Sequence, residues 1–173
     1  LLIPYNGRIA RFLSKSYIKN SQKNIEKIND IGHNLSNHVI LCGYGRSGQF
    51  LGRFLKEEHI PFIAIDMDLN RVNDASNAGE LVMYGDASRR VVLNAAGIKN
   101  CKAVIITYAD DRASSKVLTV VRETYSDLPV IVRTADESSI ALLQKEGATE
   151  VVPEVLEGSL MLGSHALMVL GIP

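Results

Sequence analysis

Gly43-Tyr44-Gly45-Arg46-Ser47-Gly48 places three glycines in G-x-G-x-x-G spacing, and Asp66 follows eighteen residues beyond the last of them. The chemistry this spacing suits is nucleotide binding. Gly43 permits a tight turn, Gly45 lets backbone N–H groups approach a pyrophosphate, and Gly48 lets a following helix pack against a sheet. The helix N-terminus so freed favours a phosphate through its unpaired N–H groups and its dipole, and Arg46 adds a cation beside it. A carboxylate at Asp66 accepts hydrogen bonds from ribose hydroxyls and repels a 2′-phosphate. That favours NAD or an adenine mononucleotide over NADP. The plain alternative is a glycine-rich turn in an α/β domain that binds no nucleotide.

The surrounding elements supply the context this motif needs. The apolar run His38–Cys42 reads as a buried strand and Gln49–Glu58 as a helix, so the glycines fall where a strand hands over to a helix. Pro61 to Ile65, closed by Asp66, reads as the second strand. Further strands are expected near 81–84, 103–107, 130–133 and 150–152. Helices are expected near 46–58, 69–78, 88–96, 110–125 and 137–145, and the chain closes on an apolar helix, Val155 to Leu170. The Val- and Ile-rich runs lack alternation, as strands buried on both faces do. The pattern predicts a Rossmann-like α/β fold, a doubly wound parallel sheet of about six strands with its ligand crevice at the carboxyl ends. Those ends carry Asp66, Met67 and Asp68 after strand two and Gly85-Asp86-Ala87 after strand three. Thr107-Tyr108-Ala109-Asp110 follow strand four, Arg133 strand five and Glu154 strand six. Asp86 and Asp110 read equally well as caps of the helices that follow them. The closing helix has more apolar surface than one contact stripe needs, and both a subunit boundary and the monomer core would use it.

Composition bounds the class. Apolar residues make up 46% and charged residues 22%, ordinary for a globular protein. No apolar run approaches the ~20 residues of a bilayer span, so the chain as given reads as soluble. Cys42 and Cys101 are far apart, without C-x-x-C spacing or a Cys/His cluster, which suggests neither a disulfide framework nor a metal site. The net charge of zero conceals an asymmetry: residues 1–37 carry six basic side chains against Glu26 and Asp30. Leu1-Leu2-Ile3-Pro4 looks like the end of an apolar segment, and basic residues just beyond a membrane span follow the positive-inside pattern. The expected organisation is a juxtamembrane basic linker over 1–37, a nucleotide-binding domain over 38–154, and a C-terminal helix over 155–173; the plain alternative for the first segment is a solvated linker helix with Ile25, Ile28, Ile31 and Leu35 packing on the domain or a partner.

The glycine motif with Gln49, then Ile65-Asp66-Met67-Asp68, Tyr84-Gly85-Asp86-Ala87-Ser88 and Gly147-Ala148-Thr149-Glu150-Val151-Val152-Pro153-Glu154, resembles the TrkA-N (RCK/KTN) regulatory domain of bacterial potassium transport systems. Glu157-Gly158-Ser159-Leu160 with His165-Ala166-Leu167 is similar to the cytoplasmic tails of Kef-type monovalent cation:proton antiporters. The resemblance implies a domain at the cytoplasmic face of the bacterial inner membrane. Such a domain binds NAD(H) or AMP/ATP, pairs as a homodimer, and transmits ligand state to its own transmembrane antiporter domain. It implies that Gly43, Gly45, Arg46 and Gly48, in the loop with Tyr44 and Ser47, hold phosphate. Asp66 would hold the ribose, Asp86 and Ala87 the adenine side, and Thr107 to Asp110 the second half of the ligand.

The rival function is an NAD-dependent oxidoreductase. It needs a substrate domain and a proton-transfer group near the nicotinamide. The sequence shows neither: no Tyr-x-x-x-Lys spacing occurs, and His33, His38, His59 and His165 lie at element starts or outside the expected crevice. A DNA-binding regulator lacks a recognition motif, so no nucleic-acid partner is expected.

Overall fold

The computed structural model describes residues 35–172, so residues 1–34 of the expected linker, with its basic side chains and Ile25, Ile28 and Ile31, lie outside the described residues, while Leu35 packs against the domain core. Six strands form one parallel sheet: β1 (Val39–Cys42), β2 (Phe62–Asp66), β3 (Val82–Tyr84), β4 (Ala103–Ile106), β5 (Val130–Thr134) and β6 (Glu150–Pro153). They lie in the order β3-β2-β1-β4-β5-β6. Between them run α1 (Arg46–Glu57), α2 (Leu69–Asn77), α3 (Arg90–Ala95), α4 (Asp111–Arg122) and α5 (Ile140–Lys145), and α6 (Glu154–Val169) follows β6. The fold class is the one expected. Boundaries differ by up to three residues, and the helix expected from 137 opens as a 3-10 turn, Glu137–Ser139, capped by Asp136.

Register fixes the crevice. Cys42 pairs with Ile65 on one side and Ile106 on the other, so β1, β2 and β4 end level. Strand order reverses between β1 and β4, and loops leaving these two strands in opposite directions open a cleft at their carboxyl ends.

Successive strand side chains point to opposite faces. On one face Ile40, Ile63, Val104, Ile106, Val130 and Val132 meet Leu93, Val117, Leu118, Val121 and Leu143 of α3, α4 and α5. On the other, Val39, Leu41, Phe62 and Ala64 meet Leu55 of α1 and Val72 and Ala75 of α2. The second face is covered only over β1–β3. β1 and β2 are buried at every residue, whereas β5 alternates buried and half-buried positions. This corrects the expectation of two-sided burial for all strands. The cause is α6, which leaves the sheet edge with no buried residue of its own.

Candidate functional site

Gly43 takes φ +101°, a conformation that disfavours side chains, and a Cβ there would meet Thr107 Oγ1 at 2.7 Å and the Tyr108 ring at 2.9 Å. The loop is pinned on both sides. Gly43 N–H donates to the Ile65 carbonyl at 2.8 Å. The Thr107 hydroxyl donates to the carbonyls of Cys42 (3.2 Å) and Gly43 (2.9 Å). Gly48 sits where helix and loop touch: a Cβ would lie 2.4 Å from the Gly43 carbonyl oxygen, so its role is packing. Gly45 is different. It is the N-cap of α1, it offers no side-chain cap, and a Cβ on it would meet nothing within 4 Å. The first turn of α1 also lacks an acidic residue. Its N-terminal N–H groups therefore face an open approach, the geometry a phosphate needs.

A cleft of ≈ 690 Å³ opens there. It gathers Gly43, Gly45, Arg46 and Ser47 from the loop, Asp66 and Met67 from β2, and Gly85, Asp86 and Ala87 after β3. Thr107, Tyr108 and Asp110 after β4, with Arg133 and Glu154, complete the predicted lining. Four predicted residues do not line it. The Tyr44 ring turns into the core and stacks on Phe62, leaving only its N–H toward Asp66. Gly48 is taken up by packing, Asp68 caps α2 through the N–H groups of Asn70 and Arg71, and Ala109 lies outside the wall. Asp110 keeps both roles weighed for it, accepting from Ala113 N–H as the N-cap of α4 while staying on the wall. Asp86 does not cap the helix after it, because α3 starts at Arg90 with Arg89 as its N-cap; Asp86 accepts from the Ser88 N–H and hydroxyl in the preceding turn and stays on the wall.

Arg71 and Lys116 also line the cleft, and the sequence reading missed both. Arg71 is the third residue of α2, and its Nη1 bonds Asp66 Oδ1 (2.9 Å) and Oδ2 (2.8 Å). An arginine at that helical position points back toward the strand end it follows; that was the available signal. Hydrogen bonding to Asp66 holds the guanidinium pKa above its ordinary value. Arg133 ties the cleft to α6, with Nη1 2.8 Å from Glu154 Oε1 and Nε 3.2 Å from Glu157 Oε2. Arg46 and Lys116 have no partner among the described residues and remain available to an anion. The Tyr108 phenol is pushed up by burial first, then by Cys42 and by Asp86, Asp110 and Asp66, which keeps it protonated as a donor.

Beyond the cleft wall, a second groove of ≈ 1380 Å³ runs between α1, the open sheet face and α6. Phe50 and Phe54 line one side, Ile105, Ile131 and Val152 its floor, and Leu160 and Met161 the other side. Arg133 belongs to both cavities.

The TrkA-N domain family model matches residues 39–154. The chain is 40% identical over 173 residues to the putative K(+) efflux antiporter KefB of Alkalimonas amylolytica, covering 99% of this chain and 26% of that protein. The TrkA-N domain of the inner membrane protein ybaL from Escherichia coli superposes with a TM-score of 0.69 at 25% identity, covering 76% of this chain and 97% of that one. The Shewanella denitrificans Kef CTD in AMP bound form superposes at 0.65 with 28% identity, covering 78% and 82% respectively.

Proposed function

The chain belongs to the TrkA-N domain family, and from that premise we propose that it is the regulatory domain of a potassium efflux antiporter, binding NAD(H) or AMP/ATP in the glycine-loop cleft. The observation that carries this reading is the unobstructed α1 N-terminus at Gly45, with unpaired Arg46 beside it and Asp66 across the loop. A neighbour of the same fold crystallised with AMP supports the ligand class. Gly43, Gly45, Arg46 and Ser47 take the phosphate and Asp66 the ribose. Met67, Gly85, Asp86 and Ala87 border the adenine, and Thr107, Tyr108, Asp110 and Arg133 border whatever extends past the first phosphate.

Residues 1–37 serve in this reading as the linker to a membrane-embedded antiporter part of the same protein, with 38–154 at the cytoplasmic face. Among the described residues no helix is long and apolar enough to cross a membrane. In this reading the domain is a sensor, and what supports it is that Asp66, Asp86, Asp110 and Glu154 are engaged in hydrogen bonds, a cap or an ion pair. A second copy of the chain packs against the groove and α6, whose Leu156, Leu160, Leu162, Leu167 and Leu170 are exposed. Apolar surface of that extent marks an interaction site.

Arg133 provides the transmission. A distal phosphate or carboxylate in the cleft competes with Glu154 and Glu157 for its guanidinium, and losing those pairs frees the first turn of α6. Such a coupling amounts to about 1–3 kcal/mol, as far as the ligand prefers one arrangement. Calorimetric titration of the chain with AMP, ATP, NADH and NADPH tests the reading. Saturable binding of AMP or NADH with markedly weaker NADPH is expected; no saturable binding of any of the four overturns it.

A further inference from the structure

We infer that Arg71 holds the place that a ribose diol takes, so that adenine nucleotides bind by exchanging their 2′- and 3′-hydroxyls for its guanidinium on Asp66; this rests on the nucleotide reading above. The Asp66 side chain is 5% exposed, and its two oxygens accept four hydrogen bonds. Oδ2 takes Tyr44 N–H (2.6 Å) and Arg71 Nη1 (2.8 Å), and Oδ1 takes Asp68 N–H (2.8 Å) and Arg71 Nη1 (2.9 Å). An ionised carboxylate has about four lone-pair sites, so none is left for a ribose donor.

Something must leave, and the four bonds differ in how easily they are given up. Tyr44 N–H belongs to the loop pinned by Gly43 and Thr107, with its ring buried in the core. Asp68 N–H belongs to the turn that caps α2. Releasing either would unmake local backbone structure. Arg71 is one side chain on the first turn of α2, 38% exposed, and its Nη2 already lies 3.4 Å from Asp68 Oδ2. It can turn to Asp68 and the cleft rim while the backbone stays in place. A cis-diol then supplies two O–H donors to the two sites vacated.

This exchange also sets specificity. A 2′-phosphate has no donor to return to Asp66 and would face two carboxylates at once. A nucleotide lacking both hydroxyls has no reason to displace Arg71 and gains nothing from its removal.

Titration of the intact chain with AMP and 2′,3′-dideoxy-AMP, in wild type, Arg71→Gln and Arg71→Met, tests the exchange. Removing the competitor should tighten AMP about three- to tenfold in both variants, the net range of one ordinary hydrogen bond, while the dideoxy nucleotide changes less than twofold. AMP binding that weakens or stays unchanged in the variants overturns the inference. So does a parallel shift of both nucleotides, which would show a general charge effect. Tighter wild-type binding of 2′,5′-ADP than of AMP, lost in Arg71→Gln, would overturn it by showing that Arg71 stays and reads a phosphate. If wild type binds no AMP, the nucleotide reading falls first and the exchange with it.

Discussion

β1 and β5 are both short Val/Ile strands in the middle of one sheet, yet β1 is buried at every position and β5 only at alternate ones. The residues do not explain the difference; the covering helices do. α1 and α2 close the second face over β1–β3, and nothing in the described chain closes it over β4–β6. α6 carries leucines enough for the task and leaves them exposed. In the reading proposed above, a second copy of the chain supplies the layer that the described residues leave off this face.

Substitutions on the two sides of this divide should separate cleanly. The largest effect is expected at Leu118, fully buried between α4 and the sheet. Leu118→Ala should lower the unfolding free energy by about 2–5 kcal/mol in denaturant titration. Leu160→Ala, the same chemical change on exposed α6, should move it by under about 0.5 kcal/mol at concentrations where the chain is monomeric. Equal losses would show that α6 folds onto its own sheet.

Leu160→Asp sharpens the contrast by placing a charge in the groove. Sedimentation equilibrium should show self-association weakened at least about tenfold, equivalent to 1.4 kcal/mol, with the monomer's melting temperature retained. Unchanged association would locate the partner surface elsewhere.

The smallest effect concerns His38, buried at the foot of β1. Its Nε2 lies 2.8 Å from the Ala96 carbonyl, which can only accept, so Nε2 carries the proton, and Nδ1 has no partner. Burial lowers its pKa below the ordinary 6.5, outweighing the Ala96 bond. The unfolded chain therefore binds more protons as pH falls through 6.5, and stability declines on acidification from there. His38→Asn keeps a donor for Ala96 and removes the titration. Its stability should lose the His38 part of the slope below pH 6.5, and a slope identical to wild type would mean that His38 does not titrate on unfolding.

The glycine loop, the six strands and the strand-end acids were legible because each follows from local spacing: a turn needs its glycines, and a buried parallel strand needs an apolar run. Arg71 was legible only as a first-turn position that points back toward the end of β2; that its guanidinium reaches Asp66 is decided by how β2 and α2 fold together. The double use of Asp66 was hidden for the same reason. It anchors the loop through Tyr44 N–H as well as facing the cleft, so replacing it removes a structural acceptor along with a ligand contact. The half-open sheet was hidden because Ile105, Ile131 and Val152 are the residues a fully covered strand would also carry. Whether a layer lies over them is decided by the path of α6, and no local pattern encodes that.

In the proposed reading the α1 N-terminus at Gly45 receives the phosphate of an adenine nucleotide. This can be read from the melting temperature of wild type and Gly45→Val with and without AMP at about 100 times its dissociation constant. A Cβ at Gly45 meets nothing in the protein, so the variant should melt near wild type without ligand. AMP should add about 2.7 kcal/mol to wild type, a rise of about 5–10 °C, and leave Gly45→Val unmoved. Equal stabilisation of both proteins, or of neither, would contradict it.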